Sequence, residues 1–527
     1  MLSSRRDHDD PIRGIAQRTT RRDLLGLTAL GILAAGTKPA RAAEGQLVYA
    51  SHISLAPAWF DPAETSGIVT PFMLLYALHD GLVKPMPSNP AEPCLAESYT
   101  ASADGLAHSF VLRAGATFHN GAPVTAEDVK FSFERYRGNA ARFIKEKVVA
   151  VETPDPRRVV FRLHQPWPDF LIYYSSVTGA GWIVPKKYVE SVGEDGFKKE
   201  PIGAGPYKFV SFTPGVELVM EAFEGYWRKA PTVKKLVWKV IPDETTRLAA
   251  LKRGEVDLAY SIRGELAEEL RRTPGLELKP VVINSPFWIY FADQWDPKSP
   301  WHDARVRKAV TLALDREGIN QALTLGHSLL TGSIVPKDYD FYWQPPKIPH
   351  DPAAARRLLA EAGFRGGFDA GEYYCDSSYA NLAEAALNSL EDVGIRVKLR
   401  PIERAAFNTG YAEKKYRNII QGGSGAFGNA ATRMETFVVK GGAYVYGSYP
   451  DIDDLFAQQA VETDRAKRAP ILHRMQQLVH ERTVYAPLWQ LAFLNGQGPR
   501  VDESAFGLIG GHPYSAPYED VRLKGGA

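Results

Sequence analysis

From Tyr207 onward the chain alternates with period two. Tyr207, Phe209 and Ser211 stand against Lys208, Val210 and Phe212; after Thr213-Pro214-Gly215, Val216, Leu218 and Met220 alternate with Glu217, Val219 and Glu221. Successive strand side chains point to opposite faces, so the pattern predicts two long strands of one antiparallel hairpin. Gly203-Ala204-Gly205-Pro206 ahead of it reads as a turn, because glycines reach backbone angles closed to other residues and Pro206 cannot continue a helix. Further strands are predicted at 46–51, around 258, at 281–291, 395–400 and 416–421. Helices are predicted at 69–78, 245–253, 303–316, 352–362, 380–393 and 465–482, the 303–316 segment with an apolar stripe of Val306, Ala309, Val310, Ala313 and Leu314. The charges of that helix read as a solvated face. Thr125 stands where it caps a following helix, with Asp128 three residues on, the acid of a capping box. Strands alternating with helices make the fold class α/β.

Several of these stretches share a particular wording. Ile202-Gly203-Ala204-Gly205-Pro206-Tyr207 is followed by Gly225-Tyr226-Trp227, by Ile241-Pro242-Asp243-Glu244-Thr245-Thr246-Arg247 and by Gly254-Glu255-Val256-Asp257. Phe118-His119-Asn120-Gly121 leads into Val124-Thr125-Ala126-Glu127-Asp128-Val129-Lys130, and Arg307-Lys308-Ala309 is followed by Ala313-Leu314-Asp315-Arg316. Spread from about residue 80 to 320, these motifs resemble the family 5 extracellular solute-binding proteins of bacterial ABC importers, the oligopeptide- and dipeptide-binding type. The resemblance implies a two-lobed periplasmic binding protein fold with a hinge and an extra inserted subdomain. On that layout lobe I is discontinuous (43–84, 202–283 and 486–527), the inserted subdomain is 85–201 and lobe II is 284–485. His119, inside a motif of the scaffold, reads as structural.

The first 42 residues read as a signal peptide. Thr20-Arg21-Arg22-Asp23-Leu24-Leu25 is a twin-arginine pattern before a mild apolar run that ends near Ala40-Arg41-Ala42, a small-x-small cleavage site. The run is too short to span a bilayer, and no cysteine stands at the cleavage point to take a lipid. This segment holds eight Lys/Arg and four Asp/Glu, so its removal takes the formal balance from +2 to −2. A nearly neutral chain without a basic block offers no electrostatic footprint for nucleic acid. The expected product is a periplasmic monomer serving an ABC permease in the inner membrane. About 485 remaining residues exceed what one hydrophobic core supports. Cys94 and Cys375 are the only cysteines and read as buried free thiols, with no CxxC pair.

Chemical motifs are weak by comparison. Gly423-Ser424-Gly425-Ala426-Phe427-Gly428 spells GxGxxG but lies outside any convincing βαβ unit. As a nucleophile elbow around Ser424 it lacks the last glycine, leaving a serine hydrolase only as an alternative. His473 and His480, seven apart on one helix, stand roughly 10 Å apart along its axis, too far to share a metal. No catalytic residue, metal or cofactor is expected. A ligand sensor or chaperone on the same fold is a further alternative. In peptide-binding relatives of the family, an acidic residue after the strand at 416–421 pairs with the ligand's ammonium. Here 416–434 contains no Asp or Glu, so a neutral or anionic solute, opine-like, glycoside-like or a blocked peptide, fits better than a free peptide N-terminus. The candidate ligand-binding residues are Trp59, Trp288, Gln421, Ser424, Phe427, Arg433, Tyr446 and Trp489.

Overall fold

In a computed structural model, which describes residues 45–64, 69–138, 141–174, 179–424, 428–510 and 512–525, the alternation at 207–221 folds as the hairpin it predicts. Tyr207–Thr213 pairs antiparallel with Glu217–Ala222, with one irregularity between Phe209 and Ser211. The export segment read over residues 1–42, and Phe427, lie outside the described residues.

The hairpin is one edge of an eleven-stranded sheet. From it the order runs through Lys235–Val240, Gln46–Ser51, Leu258–Ala259, Tyr485–Gln497, Glu277–Phe291, Ile419–Gly423 and Phe368–Asp376 to Ile395–Ile402, with Leu329–Leu330 paired to Tyr485–Gln497 off this path. Two long strands form its middle. Glu277–Phe291 and Tyr485–Gln497 pair antiparallel from Glu277 opposite Gln497 to Tyr290 opposite Tyr485, linking the two halves. All of Tyr485–Gln497 is buried, so its sequence reads as a nearly continuous apolar run rather than an alternating one.

Each half has its own hydrophobic core. The first half packs Leu47, Tyr49, Trp238 and Tyr260 against Phe72–Leu78 and Tyr518; the C-terminal half packs Val306, Ala309, Val310 and Leu382 against Ile289 and Leu488. A separate antiparallel sheet, ordered Ala96–Ala101, Ala107–Leu112, Arg158–Leu163, Val148–Asp155, closes a third core around Phe110, Val129, Phe133 and Phe161. Its helix Ala126–Arg135 starts at the capping box of Thr125 and Asp128. Cys94 and Cys375 are free and buried.

Three sequence expectations are corrected by packing. Neither Gly203 nor Gly205 adopts a positive φ; they are glycines because a Cβ at 203 would lie 1.9 Å from the Leu78 carbonyl oxygen, and one at 205 would lie 2.5 Å from that of Ala77. The helix predicted over 303–316 is two helices, Ala304–Ala313 and Arg316–Thr324, with Asp315 capping the second through the Gly318 amide. Nor are all its charges solvated: Arg307 and Arg316 are buried. Arg307 donates to the carbonyls of Trp301, His302, Arg482 and Thr483 at 2.7–2.9 Å, and Arg316 to those of Pro487 and Thr311 at 2.8 and 2.9 Å. Arg247, the last residue of the Ile-Pro-Asp-Glu-Thr-Thr-Arg motif, likewise grips the carbonyls of Ile241, Pro242, Tyr260 and Ser261. Five fixed donors let one guanidinium satisfy several irregular carbonyls that no backbone ladder reaches.

Candidate functional site

Parallel strands bring their carboxyl ends to the same edge of a sheet, where open α/β folds bind ligands. Phe368–Asp376 runs parallel to both Ile395–Ile402 and Ile419–Gly423. Asp376, Arg404 and Gln421–Gly423 therefore emerge together. They open on a cavity whose other walls include Ser285 and Phe287 of the long strand Glu277–Phe291, together with Phe493 and Tyr514.

The polar groups here are tied to one another. Arg404 Nη1 donates to Asp376 Oδ2 at 2.7 Å, and its guanidinium lies 5.8 Å from the ring centre of Tyr379. Burial opposes the Arg404 charge, but Tyr379 and Asp376 outweigh it and hold its pKa above the ordinary value. Gln421 accepts from the Tyr373 hydroxyl at 3.1 Å and donates to the Tyr379 carbonyl at 3.3 Å, so it braces the wall that carries Tyr379. Phe287 meets the Tyr379 ring edge-on at 5.1 Å.

The first half contributes from across the cleft. Arg263 pairs with Glu244 at 2.8 Å and reaches Asn381 Oδ1 at 3.2 Å and the Ser378 carbonyl at 3.3 Å. His52 stacks on Tyr514 at 6.1 Å and meets Phe493 at 6.2 Å. Its pKa is pushed well below the ordinary value by burial and by the positive charges of Arg247, Arg263 and Arg404. The imidazole is neutral at physiological pH and offers one donor and one acceptor.

Among the described residues singled out from sequence, Gln421 alone lines this cavity. Ser424 lies just beyond, its amide donating to the Pro286 carbonyl at 3.3 Å. Trp288 and Trp489 are withdrawn from the cleft: both are fully buried, Trp288 against Phe437 and Tyr485 and Trp489 in the core beside Leu488. On strands covered on both faces, either side of the pleat points into a core. Arg433, buried on the helix Ala430–Phe437, lies 5.5 Å from the ring centres of both Tyr339 and Phe437, and burial lowers its pKa. Tyr446 packs edge-on to Tyr290 at 5.5 Å. Trp59, in the short helix Pro57–Phe60, packs half-buried on the first core. Sequence reasoning missed Asp376, Arg404, Tyr379, His52 and Tyr514. No strand is predicted over 368–376, so the local sequence left Asp376 unmarked.

A sequence profile of the bacterial extracellular solute-binding proteins, family 5 (middle region), matches residues 91–444. The chain is 28% identical over 350 residues to the glutathione-binding protein GsiB of Salmonella choleraesuis (strain SC-B67), covering 64% of this chain and 67% of that one. Its identity to the protein of the same name from Escherichia coli O1:K1 / APEC is 25% over 414 residues, 75% and 79% of the two chains. Among solved structures it superposes with a TM-score of 0.77 on the binding protein AgaA of A. tumefaciens R10 in complex with agropinic acid, at 24% identity and 91% and 99% coverage. The periplasmic binding protein DppA of Helicobacter pylori in complex with the peptide STSA gives a TM-score of 0.77 at 22% identity, with 91% and 98% coverage. These likenesses show the two-lobed periplasmic binding protein fold.

Proposed function

Because this chain belongs to the family 5 bacterial extracellular solute-binding proteins, we propose that it is the periplasmic solute-binding component of an ABC importer. It captures a small polar solute between two lobes and delivers it to a membrane permease, while a separate subunit hydrolyses ATP. The observation that carries this reading is the polar cavity at the carboxyl ends of three parallel strands, faced by aromatic residues of the opposite half. Lobe I comprises 43–84, 202–283 and 486–527, lobe II 284–485 and the inserted subdomain 85–201; the hydrophobic core around Phe110, Val129, Phe133 and Phe161 supports a separate inserted unit. The protein acts as a monomer and reaches the periplasm through the twin-arginine pathway, with cleavage near Ala42.

The solute is peptide-like, opine-like or another small polar molecule, with neutral and acidic solutes preferred over free peptides. No carboxylate stands between 416 and 434, and Asp376, which does face the cavity, is already paired with Arg404. A ligand ammonium must compete with that guanidinium for its counter-charge or be buried without one, which costs several kcal/mol. The positive groups of the site are Arg404 and Arg263, not Arg433.

Mass spectrometry of what co-purifies, followed by a thermal-shift screen, tests the reading. A ligand at about 100 times its dissociation constant stabilises by roughly 2.7 kcal/mol, and Arg404→Gln should abolish that shift while the exposed Arg417→Ala leaves it. Stabilisation by free di- to pentapeptides that N-acetylation removes would refute the solute preference. The relatives are binding proteins, and a serine-reactive probe should leave Ser424 unlabelled.

A further inference from the structure

A buried polar cluster joins the four-stranded unit to the C-terminal half. Asp169 precedes the short helix Phe170–Tyr173, yet its side chain makes no capping bond to it. Its carboxylate instead receives the Arg468 guanidinium, Nη1 to Oδ1 at 3.0 Å and Nη2 to Oδ2, together with Asn429 Nδ2 at 2.6 Å. These partners are 299 and 260 residues away in sequence. The Asp169 and Arg468 side chains are 8% and 4% exposed. Arg468 is held in turn by Gln459 Oε1 at 2.9 Å. Asn429 caps the helix Ala430–Phe437 through the Thr432 amide at 3.0 Å. Beside them the Tyr173 hydroxyl donates to Glu435, whose other oxygen lies 3.9 Å from Lys147.

This contact differs in kind from those of Arg247, Arg307 and Arg316. Arg247, Arg307 and Arg316 hold backbone carbonyls, whereas Asp169 and Arg468 are side chains on opposite units, bound through their charges. When such a pair is buried, lost hydration nearly cancels mutual attraction. When it separates, both charges regain water. A contact of this chemistry holds two bodies in a fixed register at small net free energy, so a ligand's modest differential affinity is enough to shift the balance between states.

We infer that Asp169, Arg468 and Asn429 form a latch that holds the four-stranded unit against the C-terminal half. Asp169 is a positioning residue: through Asn429 it fixes the start of the helix that follows the strand carrying Gln421 and Gly423 to the cavity. The inference rests on reading the protein as a hinged solute carrier.

Small-angle scattering of the purified protein without added solute tests it, using wild type, Asp169→Ala and Arg468→Ala. The wild type should lie near the radius of gyration of a compact chain of about 480 residues, roughly 23 Å. Each single variant should shift to a larger radius. Single variants as compact as the wild type, or a wild type already as expanded as they are, would each overturn the latch. If a single variant fails to fold, Tyr173→Phe decides, since it removes one hydroxyl contact at the same junction and should expand the protein partially. Because no solute is added, loss of the latch leaves the transport reading intact, and a protein that binds no solute while its latch variants open refutes the transport reading instead.

Discussion

Gly203→Ala is the most severe small substitution this structure defines. A Cβ at that position would sit 1.9 Å from the Leu78 carbonyl oxygen and 2.6 Å from His79 Nδ1. The obstacle includes backbone, so no rotamer relieves it. The turn that must move is held by four bonds: Gly205 N to the Leu78 carbonyl at 3.0 Å, His119 N to the Gly203 carbonyl at 2.8 Å, the His119 Nε2 contact with the Gly205 carbonyl at 3.0 Å, and Gly203 N to His119 Nδ1 at 3.2 Å. Overpacking of this kind costs about 1–3 kcal/mol, and each net hydrogen bond lost adds about 1 kcal/mol. With two bonds broken the loss is about 3–5 kcal/mol. Equilibrium urea unfolding followed by tryptophan fluorescence reads it as a lower midpoint. For a unit of about 480 residues, the unfolding entropy of roughly 2.1 cal/mol/K per residue makes this about 3–5 °C in Tm. Gly366 is the control, since a Cβ there meets nothing within 4 Å and its φ is not positive; Gly366→Ala should stay within about 0.5 kcal/mol of wild type. If Gly203→Ala does the same, close approach to Leu78 is not what fixes glycine in this motif.

Arg307→Ala should destabilise by at least about 3 kcal/mol, since it strands up to four carbonyls in the core, and Arg307→Lys should not rescue it, because an ammonium lacks the planar fork; chemical denaturation checks both. His79 and His512 are buried neutral, with pKa values pushed down by burial to about 4 and about 3 from 6.5. The unfolded chain takes up those protons first, so the stabilisation is complete above pH 6.5 and is lost as pH falls towards the folded values. At pH 5 each histidine should account for about 2 kcal/mol of lost stability, and His512→Asn should flatten the decline in midpoint between pH 7 and pH 5. Replacing Arg21 and Arg22 with Lys should leave precursor in the cytoplasm; normal periplasmic yield on fractionation would refute twin-arginine export.

The alternating and 3.6-residue patterns were enough to place the hairpin and the helices Pro352–Glu361 and Ala380–Glu391, because each is a local element whose apolar face is written at its own period. The motif residues named the family for a related reason. Gly203, His119, Asp128, Arg247, Arg307 and Arg316 solve fixed problems of backbone packing and carbonyl satisfaction, and those problems are the same whatever the solute. Ligand chemistry was not legible in the same way. Asp376 and Gln421 come from two separate strands and Arg404 from the start of the helix after a third, while His52 and Tyr514 come from opposite ends of the chain; only parallel pairing and the crossing of two long strands bring Asp376, Arg404, Gln421 and Tyr514 to one cavity, with His52 stacked on Tyr514. Trp288 and Trp489 show the converse. Sequence correctly marked them as large rings near the crossings, but a ring on a strand covered on both faces has no solvent side to choose, and tertiary packing alone decided that they would fill the cores instead of the cleft.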